Sequence, residues 1–138
     1  MILVVDASAA LAWLFQRSSI EEAARADTLL DALANASAWV PSLWHTEVAN
    51  ALLTAERRNL LSQARSTDFM SRLSRLNFME DDESVMSQRE KVMALARSLG
   101  LTAYDATYAE LALRKGARLA TFDGRLATAM RKVGGDIF

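Results

Sequence analysis

The chain has 138 residues, enough for one domain with a buried core and short for two. Apolar residues make up 51% and charged residues 24%, and the formal net charge is −1. That balance excludes a general nucleic-acid coat, which would be basic, and the absence of cysteine excludes disulfides, thiolate zinc and iron–sulfur sites. The opening Met1-Ile2-Leu3-Val4-Val5-Asp6 lacks the basic start of a signal peptide, and Asp6 interrupts its apolar run. No apolar stretch is long enough to span a bilayer. The expectation is a cytoplasmic protein with no membrane attachment.

Residues 2–5 are wholly apolar and rich in β-branched side chains, the pattern of a strand buried on both faces. A short helix is expected over 8–15. Ser19-Ile20-Glu21-Glu22 has the form of a capping box and predicts a helix over 20–34. A second short strand is expected over 38–40, ended by Pro41, which cannot donate to a ladder. Helices follow over 42–58 and 62–76, with a weak strand pattern over 77–80 between them and the next helix. Residues 84–99 are amphipathic, with Gly100 suited to the helix end. Thr102 opens a helix to about 115, and Gly116 stands just past it. A strand over 118–121, a helix from Asp123 or Gly124 to about 132, and an edge strand at 137–138 complete the chain. Short apolar strands alternating with helices predict an α/β sandwich with a parallel sheet, whose ligands bind beyond the carboxyl ends of the strands.

Four acids stand out against that pattern. Asp6 directly follows the first strand, and Asp123 follows the strand over 118–121. Asp105 lies three residues after Thr102, where an acid also suits a helix start. Each of these three has an ordinary alternative role in a turn or cap. Glu47 is different: it lies at the edge of the apolar face of its helix, and a carboxylate drawn toward a core needs a cation. Asn50, one turn on, is placed to be its partner. Crowded carboxylates repel, and oxygen-only ligands suit a hard ion, Mg²⁺ or Mn²⁺. The one histidine, His45, falls on another side of the helix from Glu47 and reads as structural or surface, which disfavours zinc.

These pieces resemble the PIN-domain family, and within it the VapC-like toxins of bacterial toxin–antitoxin pairs. The matching segments are Val4-Val5-Asp6-Ala7-Ser8, Glu47-Val48-Ala49-Asn50-Ala51-Leu52, the stretch from Tyr104 to Ala112, and Leu119-Ala120-Thr121-Phe122-Asp123. The resemblance covers essentially the whole chain, 1–138, as a single PIN-like nuclease domain. It implies a three-layer α/β/α fold with a parallel sheet of about five strands, and an acidic pocket built from Asp6, Glu47, Asp105 and Asp123. Asp6, Asp105 and Asp123 would hold a divalent metal, with Glu47 binding it directly or through water. Ser8 and Thr121 match positions that hydrogen-bond the acids, and Asn50 would orient a ligand. Some members carry a further acid soon after the last aspartate, whereas this chain has Gly124 and Arg125, which leaves a second metal site open.

The implied activity is metal-dependent hydrolysis of RNA by an endoribonuclease, with water as nucleophile. The implied partners are RNA and a cognate antitoxin protein, with a homodimer or larger complex as the assembly. Trp13, Leu14 and Phe15, with Trp39 and Trp44, read chiefly as core; the resemblance offers an antitoxin groove instead. Arg114, Lys115, Arg118 and Arg125 are candidates to guide the RNA backbone. The rival reading is a non-catalytic PIN-like module that binds RNA or protein. A phosphoacceptor receiver domain would need a lysine after a late strand, where this chain has Thr121-Phe122-Asp123.

Overall fold

Leu3, Val4 and Val5 are fully buried. Successive strand residues point to opposite faces, so this segment is covered on both sides. It belongs to β1 (Ile2–Val5), the middle strand of the sheet. The computed structural model, which describes residues 1–15 and 19–138, adds β2 (Ser37–Val40), β3 (Phe78–Glu80), β4 (Arg118–Ala120) and β5 (Asp136–Ile137). All pairings are parallel, in the order β3-β2-β1-β4-β5. Val4 stands opposite Trp39 on one side and Leu119 on the other, which fixes the register through the centre.

Seven helices lie among the described residues: α1 (Ala7–Leu11), α2 (Ile20–Ala32), α3 (Leu43–Arg57), α4 (Gln63–Leu73), α5 (Val85–Leu99), α6 (Ala103–Lys115) and α7 (Gly124–Lys132). The expected five-stranded parallel α/β fold is the observed one. Caps read from the sequence are present: Ser19 Oγ accepts Glu22 N–H at 3.0 Å, and Thr102 Oγ1 accepts Asp105 N–H at 3.1 Å. Gly100 and Gly116 end α5 and α6 in the left-handed region, at φ 65° and 59°, where a side chain would be strained.

Boundaries differ in places. The first helix stops at Leu11 rather than reaching 15, because its last turn tightens. Trp13 N–H bonds to Ala10 O and Leu14 N–H to Leu11 O, a three-residue spacing that closes a helix. The Trp13 indole meanwhile donates to Ala26 O on α2 at 3.0 Å. The last strand is Asp136–Ile137, one residue earlier than expected.

β1 and β4 are neighbours, yet the chain leaves β1 toward β2 on one side and β4 toward β5 on the other. A crevice forms where order reverses in this way, beyond the carboxyl ends of the strands. Asp6 N–H reaches across it to Ala120 O at 3.1 Å. α6 packs on β1 and β4, bringing its first turn to the same edge.

Candidate active site

Asp6 is the first residue past β1 and only 5% exposed. Its Oδ1 accepts Ala9 N–H at 2.8 Å, capping α1, and the Ser8 hydroxyl at 2.7 Å. Its Oδ2 accepts the Thr121 hydroxyl. Asp6 itself is therefore the cap of α1, and the Ser8 hydroxyl serves Asp6. Burial outweighs these hydrogen bonds and pushes the Asp6 carboxyl up to about 6. The two hydroxyls also accept: Ser8 Oγ from Phe122 N–H at 2.9 Å, and Thr121 Oγ1 from Asp123 N–H at 3.0 Å. Each therefore ties Asp6 to the turn after β4.

Asp123 stands in that turn. Its Oδ1 caps α7 by accepting Arg125 N–H at 2.9 Å and Leu126 N–H at 3.3 Å. Asp105 sits in the first turn of α6. Burial and the charge of Asp123 raise its carboxyl, while Thr102 and the Arg125 charge pull it back. Glu47, on α3, is half-buried, and burial raises it too, with Asp105 adding to the effect. Its Oε1 accepts the Tyr108 hydroxyl at 2.7 Å. Burial, reinforced by that bond, holds the Tyr108 phenol far above its ordinary range, so it stays a donor.

The four acids therefore form one electrostatic unit. Asp105 acts on Asp6 and on Glu47, and Asp123 acts on Asp105. They come from four separated stretches of sequence and meet at the crevice. The donor set is all oxygen and strongly anionic, which fits a hard divalent cation. No three of the described Asp, Glu and His side chains already stand as a ligand set for one ion; a cation would have to draw the carboxylates inward against their repulsion.

Tyr108 lies in the Tyr104 to Ala112 segment that carries the family resemblance, and its role emerges only from the fold. The sequence signal for it is its place: it follows Asp105 by three residues, hence one helical turn, on the same side. Asn50 is exposed one turn beyond Glu47, and Tyr108, not Asn50, is the hydrogen-bond partner of that acid. His45 is at the surface, 3.0 Å from Glu80. Of the expected guiding cations, Arg114 is consumed: it grips Asp81 at 2.6 Å and Glu110 at 2.9 Å, all three largely buried. Lys115 Nζ lies 3.5 Å from the Trp39 ring centroid, and Arg118 donates to Ile137 O at 3.1 Å. Arg125 is exposed beside Asp123. Trp44 is core, while Trp13, Leu14, Phe15 and Trp39 are only partly buried.

Residues 3–132 match the family model of the PIN domain. The chain belongs to the PIN domain family. A curated relative, "Ribonuclease VapC3" of Pyrobaculum aerophilum, is 34% identical over 127 residues, spanning 92% of this PIN domain and 93% of the relative. A solved protein from the same organism shares 27% identity at a TM-score of 0.66, over 94% of this chain and 79% of its own. FitAcB of Neisseria gonorrhoeae superposes with a TM-score of 0.65 over 100% of this chain and 96% of its own. At 19% identity it speaks for the shared fold. No described helix of this PIN domain is long and apolar enough to cross a membrane.

Proposed function

We propose that this PIN domain is a cytoplasmic endoribonuclease that uses Mg²⁺ or Mn²⁺ and acts as the toxin of a toxin–antitoxin pair. The observation that carries the reading is the convergence of acids at one sheet edge: Asp6 follows β1, Asp123 follows β4, and Asp105 lies close enough to Asp6 and Glu47 for its charge to raise both. A binding module for an anionic polymer would gain nothing from four carboxylates facing its ligand. The relative's name, a ribonuclease, supports the same class of substrate.

When bound, one or two divalent ions supply the positive charge that stabilises a phosphoryl group under attack and lowers the pKa of the attacking water. The protein side of the mechanism lies in how the acids are held. Asp6, Asp105 and Asp123 are the residues that would hold the ion. Ser8, Thr121 and the Ala9 amide fix both oxygens of Asp6, so that carboxylate arrives oriented. Capping occupies Oδ1 of Asp123 and leaves Oδ2 for the site. Tyr108 takes Oε1 of Glu47, leaving Oε2 to hold the cation or the attacking water. Water adds to phosphorus in line, the bond to the 3′ oxygen breaks, and the products are a 5′-phosphate and a 3′-hydroxyl. No protein nucleophile is required.

The antitoxin reading rests on the apolar surface after α1. Trp13, Leu14, Leu30, Phe69 and Leu73 line a groove of about 470 Å³, and Ile20 nearby in sequence is 90% exposed. An antitoxin helix or tail would cover such a groove. The test of the enzymatic reading is RNA cleavage by purified protein with Mg²⁺ or Mn²⁺, beside EDTA and Asp6→Asn controls. Cutting that needs metal and Asp6 supports the proposal. Metal binding without cutting of any RNA refutes it in favour of a binding module.

A further inference from the structure

Two hollows adjoin near the turn after β4. One, about 520 Å³, is polar and is lined by Asp123, Thr128, Arg131, Asp136 and Arg25. The other, about 350 Å³, is apolar and is lined by Leu29, Ala120, Phe122, Phe138 and Arg118, again with Arg25. They share Arg25, Thr121, Phe122 and Phe138, so they form one continuous groove, and Asp123 of the four acids lines its polar half.

Both aromatic rings of this groove carry a guanidinium. Arg25 lies 4.7 Å from the Phe122 centroid and Arg118 lies 5.3 Å from that of Phe138. Each is steadied by one backbone carbonyl, Thr121 O at 3.3 Å for Arg25 and Ile137 O at 3.1 Å for Arg118. Among the described residues, neither these two nor Arg131 pairs with a carboxylate. Arg118 also donates to Met1 Sδ at 3.7 Å, and a guanidinium held in these ways keeps its charge and further donors for a ligand.

We infer that this groove binds the nucleotide adjoining the scissile phosphate of a single-stranded RNA. Arg25 and Arg131 hold its phosphate in the polar half, and its unpaired base lies in the apolar half against Phe122 and Phe138. The inference rests on the nuclease reading of the acids and adds the class and place of the ligand. An acidic cluster in a chain of net charge −1 repels a polyanion, and these unpaired cations beside Asp123 supply the opposing field. An apolar slot flanked by rings and guanidinium planes suits a base whose face is free, as in a loop or single strand and not in a duplex.

The test separates this inference from the nuclease reading. Binding is read by fluorescence anisotropy with a short labelled single-stranded RNA, in the Asp6→Asn background so that nothing is cut. Arg25→Gln and Arg131→Gln are each expected to weaken binding by about 5- to 10-fold at low salt. Each should lower the slope of log affinity against log salt by about 0.7, the value for one phosphate contact on a single strand. Phe138→Leu should weaken RNA binding by about 5-fold and leave binding of an abasic strand unchanged, since stacking needs a base. Arg97→Gln, which removes an exposed α5 cation outside both hollows, should change nothing. In the otherwise unaltered chain, the groove substitutions should raise KM and leave kcat within about twofold. Wild-type affinity and salt slope in both arginine variants would overturn the groove, while metal-dependent cutting by those proteins would keep the nuclease. Loss of binding as expected, with no cutting by any chain that retains Asp6, would keep the groove and refute the nuclease. Equal loss on the abasic strand for Phe138→Leu would overturn the base slot.

Discussion

Replacing Asp6 by asparagine removes a carboxylate that the fold holds ionised at neutral pH against its own burial. The folded group titrates near 6, against an ordinary value of 3.8. Between those pH values the folded chain binds a proton that the unfolded chain does not. Stability contributed by this group therefore rises as pH falls from above 6 toward 4. At pH 7 the ionised group weakens the fold by about 3 kcal/mol. The amide has one acceptor oxygen instead of two, so the bond from Thr121 is lost, which takes back about 1 kcal/mol. In EDTA at pH 7, Asp6→Asn should be more stable by about 2 kcal/mol, with a Tm higher by roughly 6 °C. Thermal unfolding followed by circular dichroism at pH 7.5, 6 and 5 measures this. The variant's advantage should shrink as pH falls through 6, disappear between about pH 5 and pH 4, and give way at lower pH to a deficit of about 1 kcal/mol from the lost hydrogen bond. Saturating Mg²⁺ or Mn²⁺ should reverse the order, since a ligand at 100 times its Kd stabilises the native chain by about 2.7 kcal/mol. An Asp6→Asn chain that melts at or below the wild type in EDTA at pH 7.5, or a gap that does not narrow toward pH 5, would refute the burial argument.

Metal-dependent cleavage should rise with pH through about 6, because the proton on Asp6 competes with the cation; a pH–rate profile under single-turnover conditions checks this. Tyr108→Phe removes the donor to Glu47 Oε1 and keeps the ring, so the fold should lose about 1 kcal/mol and cleavage about 10-fold. Denaturant unfolding and kcat read the two effects separately. Arg114→Met leaves Asp81 and Glu110 buried without their cation, and should destabilise the chain by about 3 kcal/mol. The folded fraction should retain its kcat, which activity normalised to active-site content would establish.

The elements themselves were legible because their causes are local. An apolar β-branched run marks β1, serine and threonine caps mark α2 and α6, and Gly100 and Gly116 mark two helix ends. The end of the first helix is not local in this sense: its last turn tightens where the Trp13 indole reaches Ala26 on another helix. The strand-end rule singled out Asp6 and Asp123, and the edge position of Glu47 on its apolar face singled out that acid. Capping and function looked like rival roles for Asp6 and Asp123. They coexist, because a carboxylate has two oxygens and a cap needs one.

What only the folded chain decides is which distant groups meet. Thr121 reaches Asp6 across 115 positions, Tyr108 reaches Glu47 across 61, and Arg114 reaches Asp81 across 33. No periodicity encodes those distances; the strand order and the packing of α6 on β1 and β4 create them. The same step separates spent cations from available ones. Arg114 and Arg131 look alike in sequence, but one is locked between two buried acids and the other lines an open groove. Sequence determined the kinds of residue and the elements that carry them, because propensity and capping act over a few residues. Tertiary structure determined their partners and their ionisation, because burial and Coulomb coupling depend on proximity in space.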